Sequence, residues 1–188
     1  MKKFKFEIKQ DPNPSNPRSW DNLGTMVCFH RRYNLGDENY YCSNNYDSWD
    51  EMKEDIINNE NVHTILPLYL YDHSGIAMNT TGFSCNWDSG QVGFIFISKD
   101  KVKKECMDES KVELYLKNEV ETYNQYLTGE VWRYEIYEIT ECNHGHKHIE
   151  LIDSCSGFYD ENHCKEEANN LIKYYENLAL DKINSVNQ

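Results

Sequence analysis

Residues 66–98 read LPLYLYDHSGIAMNTTGFSCNWDSGQVGFIFIS. The stretch opens on an apolar run, turns at Asp72-His73-Ser74-Gly75, and crosses a loop of small and polar residues. It closes on Val92-Gly93-Phe94-Ile95-Phe96-Ile97, the most uniformly apolar run in the chain. Two strands are therefore expected to carry a loop that holds Asp72, His73, Ser74, Cys85, Trp87, Asp88, Ser89 and Gln91. Polar loops held by rigid strands are where binding and catalysis concentrate. Pro67 inside the first strand predicts an edge or bulged position, because proline gives no N–H to a ladder. Gly75 lets the chain return through 76–79 as a small hairpin.

Outward from this centre, Lys3–Lys9 alternates Phe4, Phe6 and Ile8 with charged residues, a half-buried strand pattern. Three of the four prolines fall at 12, 14 and 17, which predicts an extended arm at about 11–19. Ser48-Trp49-Asp50-Glu51 fits a capping box and predicts a helix to about Asn58 that buries Trp49, Met52, Ile56 and Ile57. After the apolar strand, Ser98 or Asp100 can cap a short helix through Cys106. Ser110-Lys111-Val112-Glu113 is a second capping box, opening a helix with Val112, Leu116, Val120, Tyr123 and Leu127 on one face and Gly129 as its stop. Residues 131–140 alternate like a strand, and Asn143-His144-Gly145 reads as a hairpin turn into 147–153. Asp160 caps a last helix that buries Ala168, Leu171, Ile172, Tyr175 and Leu178. These elements make an α+β fold: a single domain over 1–188, with a mixed or antiparallel sheet and about three helices packed on it.

The net charge is −13, and it is uneven. Residues 1–36 hold seven basic and three acidic residues, so the remainder carries −17. Such a body repels nucleic acid and suits a basic partner, including a protein surface that normally holds DNA or RNA. Mean hydropathy is low, at −0.82. Fourteen tyrosines offer contact area at low entropic cost. The seven cysteines contain no Cys-x-x-Cys pair, no apolar h-region follows the basic start, and no apolar run approaches membrane-spanning length. This predicts reduced thiols in a cytoplasm and no membrane partner.

Cys85 is the candidate nucleophile, with His73 or His30 as base and Asp72 or Asp88 as orienter. Packing of a tight loop is the plainer role for that thiol. His30-Arg31-Arg32, beside Trp20 and Tyr33, could clamp a phosphate or stack on a base. Alternatively, an arginine there ties its loop by bonding backbone carbonyls or Asp21 and Asp37. Cys142, His146 and His148, with Cys155 or His163, have metal-ligand chemistry but no standard zinc spacing. They read as a hairpin tip, so neither metal nor cofactor is expected. Asp153-Ser154-Cys155-Ser156-Gly157 lacks the glycine spacing and lysine of a P-loop. It reads as a strand-to-helix connection facing the 72–91 loop.

Several blocks carry a resemblance. They are Asn16-Pro17-Arg18-Ser19-Trp20-Asp21-Asn22-Leu23-Gly24-Thr25-Met26, Phe29-His30-Arg31-Arg32-Tyr33-Asn34-Leu35-Gly36-Asp37, Leu66-Pro67-Leu68-Tyr69-Leu70-Tyr71-Asp72-His73-Ser74-Gly75, Phe83-Ser84-Cys85, Trp87-Asp88-Ser89-Gly90-Gln91-Val92-Gly93 and Asp153-Ser154-Cys155. Together they resemble an uncharacterised family of small bacteriophage proteins. The resemblance implies a phage setting, hence the host bacterial cytoplasm, and brings no catalytic residues. Two functions are then expected in order. The first is an acidic binder that inhibits a host defence system, most concretely an anti-CRISPR-type inhibitor of a nucleic-acid-binding effector. Its binding residues would be His30, Arg31, Arg32, Asp72, Trp87, Gln91 and Asp153, or its acidic helices, and direct nucleic-acid binding is not expected. The second is a small phage hydrolase or transferase using His73, Cys85 and Asp88.

Overall fold

The computed structural model describes residues 2–186. Its strands are β1 (Lys3–Gln10), β2 (Thr25–Cys28), β3 (Val62–Asp72), β4 (Ile76–Asn79), β5 (Ser89–Ser98), β6 (Trp132–Glu141) and β7 (Lys147–Phe158). Its helices are α1 (Trp49–Asn59), α2 (Lys99–Lys104), α3 (Val112–Thr128) and α4 (Glu161–Val186). The fold is α+β, as expected, and every strand pair is antiparallel. Where one sheet was expected there are two, ordered β1-β6-β7 and β2-β5-β3-β4. The chain divides into two compact units: residues 16–128, and residues 2–15 with 129–186.

In the first of these units the four-stranded sheet is covered on both faces. Met26, Leu68, Ile95 and Ile97 pack with Val112, Leu116, Val120 and Tyr123 of α3. Val27, Phe94 and Phe96 point the other way, onto Met52 and Ile56 of α1. Alternate residues of β5 serve opposite cores, which is why its sequence is apolar without a break. Pro67 sits where β3 pairs with β5 alone, since β4 reaches only Tyr69–Asp72, and the β3–β5 register shifts beside it. Ser48 caps α1 by accepting from the Glu51 N–H, as expected, but Ile57 is exposed rather than buried. The second box behaves differently. Asp108, not Ser110, accepts the orphan N–H of a 3-10 turn, and α3 begins at Val112. Val112, Leu116, Val120 and Tyr123 are buried and Leu127 is partly so, while Gly129 adopts the left-handed backbone that ends the helix (φ 77°).

In the other unit, α4 packs on one face of the three-stranded sheet, over Phe6, Ile8, Tyr134, Ile136 and Ile152. Asp160 caps it through the Asn162 and His163 N–H groups. Ala168 is buried at its centre and Leu178 is exposed, contrary to expectation. The opposite face carries charge. Glu135 accepts from Lys9 (2.5 Å), Tyr137 (2.5 Å) and Arg133 (2.6 Å). Lys9 foremost, with Tyr137, holds the Glu135 carboxyl below its ordinary range. β7 runs on to Phe158, so residues 153–158 are strand where a connection was expected.

Candidate functional site

β2 and β3 end, and β5 begins, at one end of the four-stranded sheet. Antiparallel register places Cys28 opposite Gly93 and Tyr71 opposite Ser89. The segments leaving those ends (His30–Tyr33, Asp72–Gly75, Cys85–Asp88) are therefore neighbours although up to 58 residues separate them in sequence. The three-residue turn between β3 and β4 is closed by the His73 N–H on the Gly75 carbonyl, with Ser74 in the left-handed region (φ 57°).

Asp72 is the hub of the first cluster. Arg32 donates to its Oδ2, the Tyr33 hydroxyl donates to Oδ1 at 3.3 Å, and His30 Nε2 lies 3.6 Å from Oδ2. The Arg32 N–H donates to His30 Nδ1 (3.3 Å), which leaves Nε2 as the ring's N–H, aimed at Asp72. The His30 ring stacks on Tyr33, with centroids 5.0 Å apart at 11°, and the guanidinium of Arg32 lies 5.5 Å over the same ring. The Arg32 hydrogen bond holds the Asp72 carboxyl below the ordinary carboxylate range. Of the local roles expected for these arginines, tying the loop is correct but the anchor is Asp72, not Asp21 or Asp37.

Asp88 is the second hub. Its carbonyl accepts from the Asp72 N–H at 2.8 Å, joining the two clusters through the backbone. Its Oδ2 accepts from the Cys85 thiol at 3.5 Å and lies 3.6 Å from His73 Nδ1. A cysteine nucleophile needs the imidazole against the thiol with the carboxylate behind the ring. Here imidazole and thiol both approach the same carboxylate oxygen, Asp88 Oδ2. Ser89 closes the loop by donating to the Cys85 carbonyl at 2.5 Å.

Not every expected residue enters these clusters. Arg31 is exposed, Trp87 is 97% exposed, and Gln91 lies within β5, donating to the Gly93 carbonyl at 3.3 Å. Asp153 belongs to the other unit, where its carboxylate accepts from the Tyr175 hydroxyl at 2.9 Å. His144, His146 and His148 are exposed around the β6–β7 turn, and His146 lies outside β7. Among the described residues no group of three or more His, Cys, Asp or Glu side chains is placed to hold a metal ion. No described helix is long and apolar enough to cross a membrane.

Two features escaped the sequence. Arg18, with its side chain 3% exposed, donates to Asp37 through Nε (2.8 Å) and Nη2 (2.6 Å), to Glu119 (3.1 Å) and to the Gly24 carbonyl (2.7 Å). Glu119 in turn accepts from the Leu23 and Gly24 N–H groups, and Asp37 from that of Met26. This buried network fastens the 17–37 loops to α3. The second feature is a concentration of charge. Residues 38–60 hold seven acidic residues and one lysine, whereas the rest of that unit holds nine basic and eleven acidic. Glu38, Asp47, Asp50, Glu51 and Glu54 are exposed. Tyr40, 74% exposed, stacks on Tyr41 at 4.6 Å, and both hydroxyls donate to Glu60. Tyr46 donates to Asp55 at 2.7 Å, which pushes its phenol up to about 12. Tyrosine hydroxyls thus hold the Asp55 and Glu60 carboxylates in place at α1 and its C-terminal cap. Counting charge by segment around the capping box could have found this segment. Nothing local marks Arg18.

No family model, curated protein or solved structure matches the chain.

Proposed function

We propose that the protein acts by binding rather than by catalysis, and that its target is a protein whose surface is basic because it holds nucleic acid. In the phage setting that the resemblance implies, that target is a host defence effector, and the protein is an inhibitor of the anti-CRISPR type working in the host cytoplasm. The observation that carries this reading is the acidic segment 38–60, which includes α1 and gathers six of the unit's eight net negative charges beside stacked tyrosines. Spaced carboxylates between rings offer a basic groove what a nucleic-acid strand offers, fixed negative charge and flat apolar surface. The loop cluster around Asp72 and Asp88 supports the same reading from the other side. Its acids are occupied by Arg32, Tyr33, His30, His73 and Cys85, an arrangement that shapes a surface without pairing a base with a nucleophile.

The test is capture from host lysate at low salt, repeated with the double variant Asp50→Lys and Glu54→Lys. A nucleic-acid-binding protein should be retained, displaced by added DNA or RNA, and released by about 0.5 M salt, where screening is nearly complete beyond contact distance. Retention that is indifferent to salt and to the charge reversal would refute the acidic-face reading.

A further inference from the structure

β7 is an edge strand, bonded to β6 on one side only. Natural proteins blunt such edges with prolines, bulges or very short strands. β7 is twelve residues long, and from Lys147 to Leu151 it has neither proline nor bulge, its charges there being Lys147 and Glu150. Its register against β6 is unbroken from Glu141↔Lys147 to Tyr137↔Leu151, and the shift that interrupts it falls beyond Leu151. Ile149 and Leu151 stand on this open edge 52% and 51% exposed, on the same face as Ile139 and Tyr137, their partners on β6. On the opposite face Glu150 lies across from Glu138. Lys2 neutralises Glu138 at 2.8 Å, and Glu150 has no ion-pair partner among the described residues.

The sequence Lys147-His148-Ile149-Glu150-Leu151 is complementary to itself when reversed. An antiparallel pair centred on Ile149 places Ile149 against Ile149, and each His148 opposite a Glu150 of the second strand. Lys147 then meets Leu151, its aliphatic stem covering the leucine. Centres further toward the C-terminus are worse. One residue toward the C-terminus sets Glu150 against Glu150, and two residues on sets Ile149 against Asp153 across the bulge. We propose that β7 pairs with β7 of a second copy of this chain through 147–151, joining two three-stranded sheets into one of six strands. The pairing supplies the missing backbone partners, gives Glu150 a hydrogen-bonding partner in His148, and lays the two Ile149–Leu151 pairs side by side. Five residues a side is a small interface, so the dimer is weak and exchanges with monomer. Because each copy carries −13, long-range repulsion opposes it and salt strengthens it. That dependence is opposite to the one expected for a basic partner at α1, so the two proposals stand or fall apart.

The experiment is sedimentation of the full chain over about a hundredfold range of concentration, at low and moderate salt. The weight-average mass should climb from one 22.3 kDa chain toward two, more readily at the higher salt. His148→Glu sets acid against Glu150 twice and should abolish the rise, as should Ile149→Lys. Each side chain is exposed, so hydrogen exchange in β6 should be unchanged. The double variant His148→Glu with Glu150→Lys places opposite charges across the pair and should restore association. A mass that stays at one chain throughout overturns the proposal. So does association that survives the single variants, or that the double variant fails to recover.

Discussion

The two sheets differ in how many faces a helix covers, and the difference reaches the level of single residues. On β5, Phe94 faces α1 and its neighbour Ile95 faces α3, so both are buried, at 2% and 0% exposure. On β1, Phe6 faces α4 while its neighbour Lys5 faces Glu7 and the Tyr137 ring. A sheet covered twice must be apolar at every position, whereas a sheet covered once alternates. The consequence is a division of labour. The doubly covered sheet is a rigid mount whose ends carry the loops and whose covering helix carries the acidic face. The singly covered sheet keeps an edge and a charged face available.

The comparison breaks most sharply at Gly93, where a Cβ would overlap the Val27 carbonyl oxygen of the paired strand β2. Gly93→Ala should cost about 4 kcal/mol, in the exceptional tail for single substitutions, and hydrogen exchange should show the loss in β2, β3 and β5. Next is the buried cation. Arg18→Met leaves Asp37 and Glu119 without their counter-charge and should cost about 3–5 kcal/mol in denaturant unfolding; a cost under about 1 kcal/mol would mean the network is solvated.

Neighbouring truncations test the coverage argument itself. Phe94→Ala and Ile95→Ala should each cost about 3–4 kcal/mol, while on β1 only Phe6→Ala should be felt and Lys5→Ala should leave the unfolding midpoint where it was. Equal costs for Phe6 and Lys5 would show that the second face of that sheet is a core after all.

A smaller effect separates the units by pH. Burial pushes the Cys28 thiol up to about 12 and the Cys164 thiol up to about 11, one in each core. An unfolded thiol ionises near 9, so above that pH the unfolded chain binds fewer protons than the native one. The contribution is whole below about pH 9 and falls by roughly 1.4 kcal/mol per pH unit for each thiol until its folded value is reached. Cys28→Ala should flatten the alkaline decline read from β5, and Cys164→Ala that read from β6. Smallest of all, Arg32→Ala should leave the unfolding midpoint nearly unchanged, because the Asp72 pair is exposed and screened. The depressed Asp72 carboxyl favours the folded loop above its unfolded value near 4, and that contribution is lost as pH falls below it.

The sequence by itself determined whatever depends on near neighbours along the chain. Alternation marked β1 and β6, the unbroken apolar run marked β5, and Ser48 with Glu51 marked the start of α1. These are local steric and hydrogen-bonding choices. The end of β7 was illegible because Ser154-Cys155-Ser156-Gly157 has the composition of a turn, and only pairing with β6 makes it strand. The start of α3 was misplaced because Asp108, by accepting the Ser110 N–H, caps a 3-10 turn that precedes the helix. The candidate site was legible as a list of residues but not as an arrangement. His30, Asp72, His73, Cys85 and Asp88 are neighbours only because the sheet order brings the ends of β2 and β3 to the start of β5. That order also decided that His73 and Cys85 share the Asp88 carboxylate. Arg18 and Glu119, 101 residues apart, show the limit most plainly. A buried charge is tolerable only where its counter-charges already wait, and the place where they wait is a property of the folded chain alone.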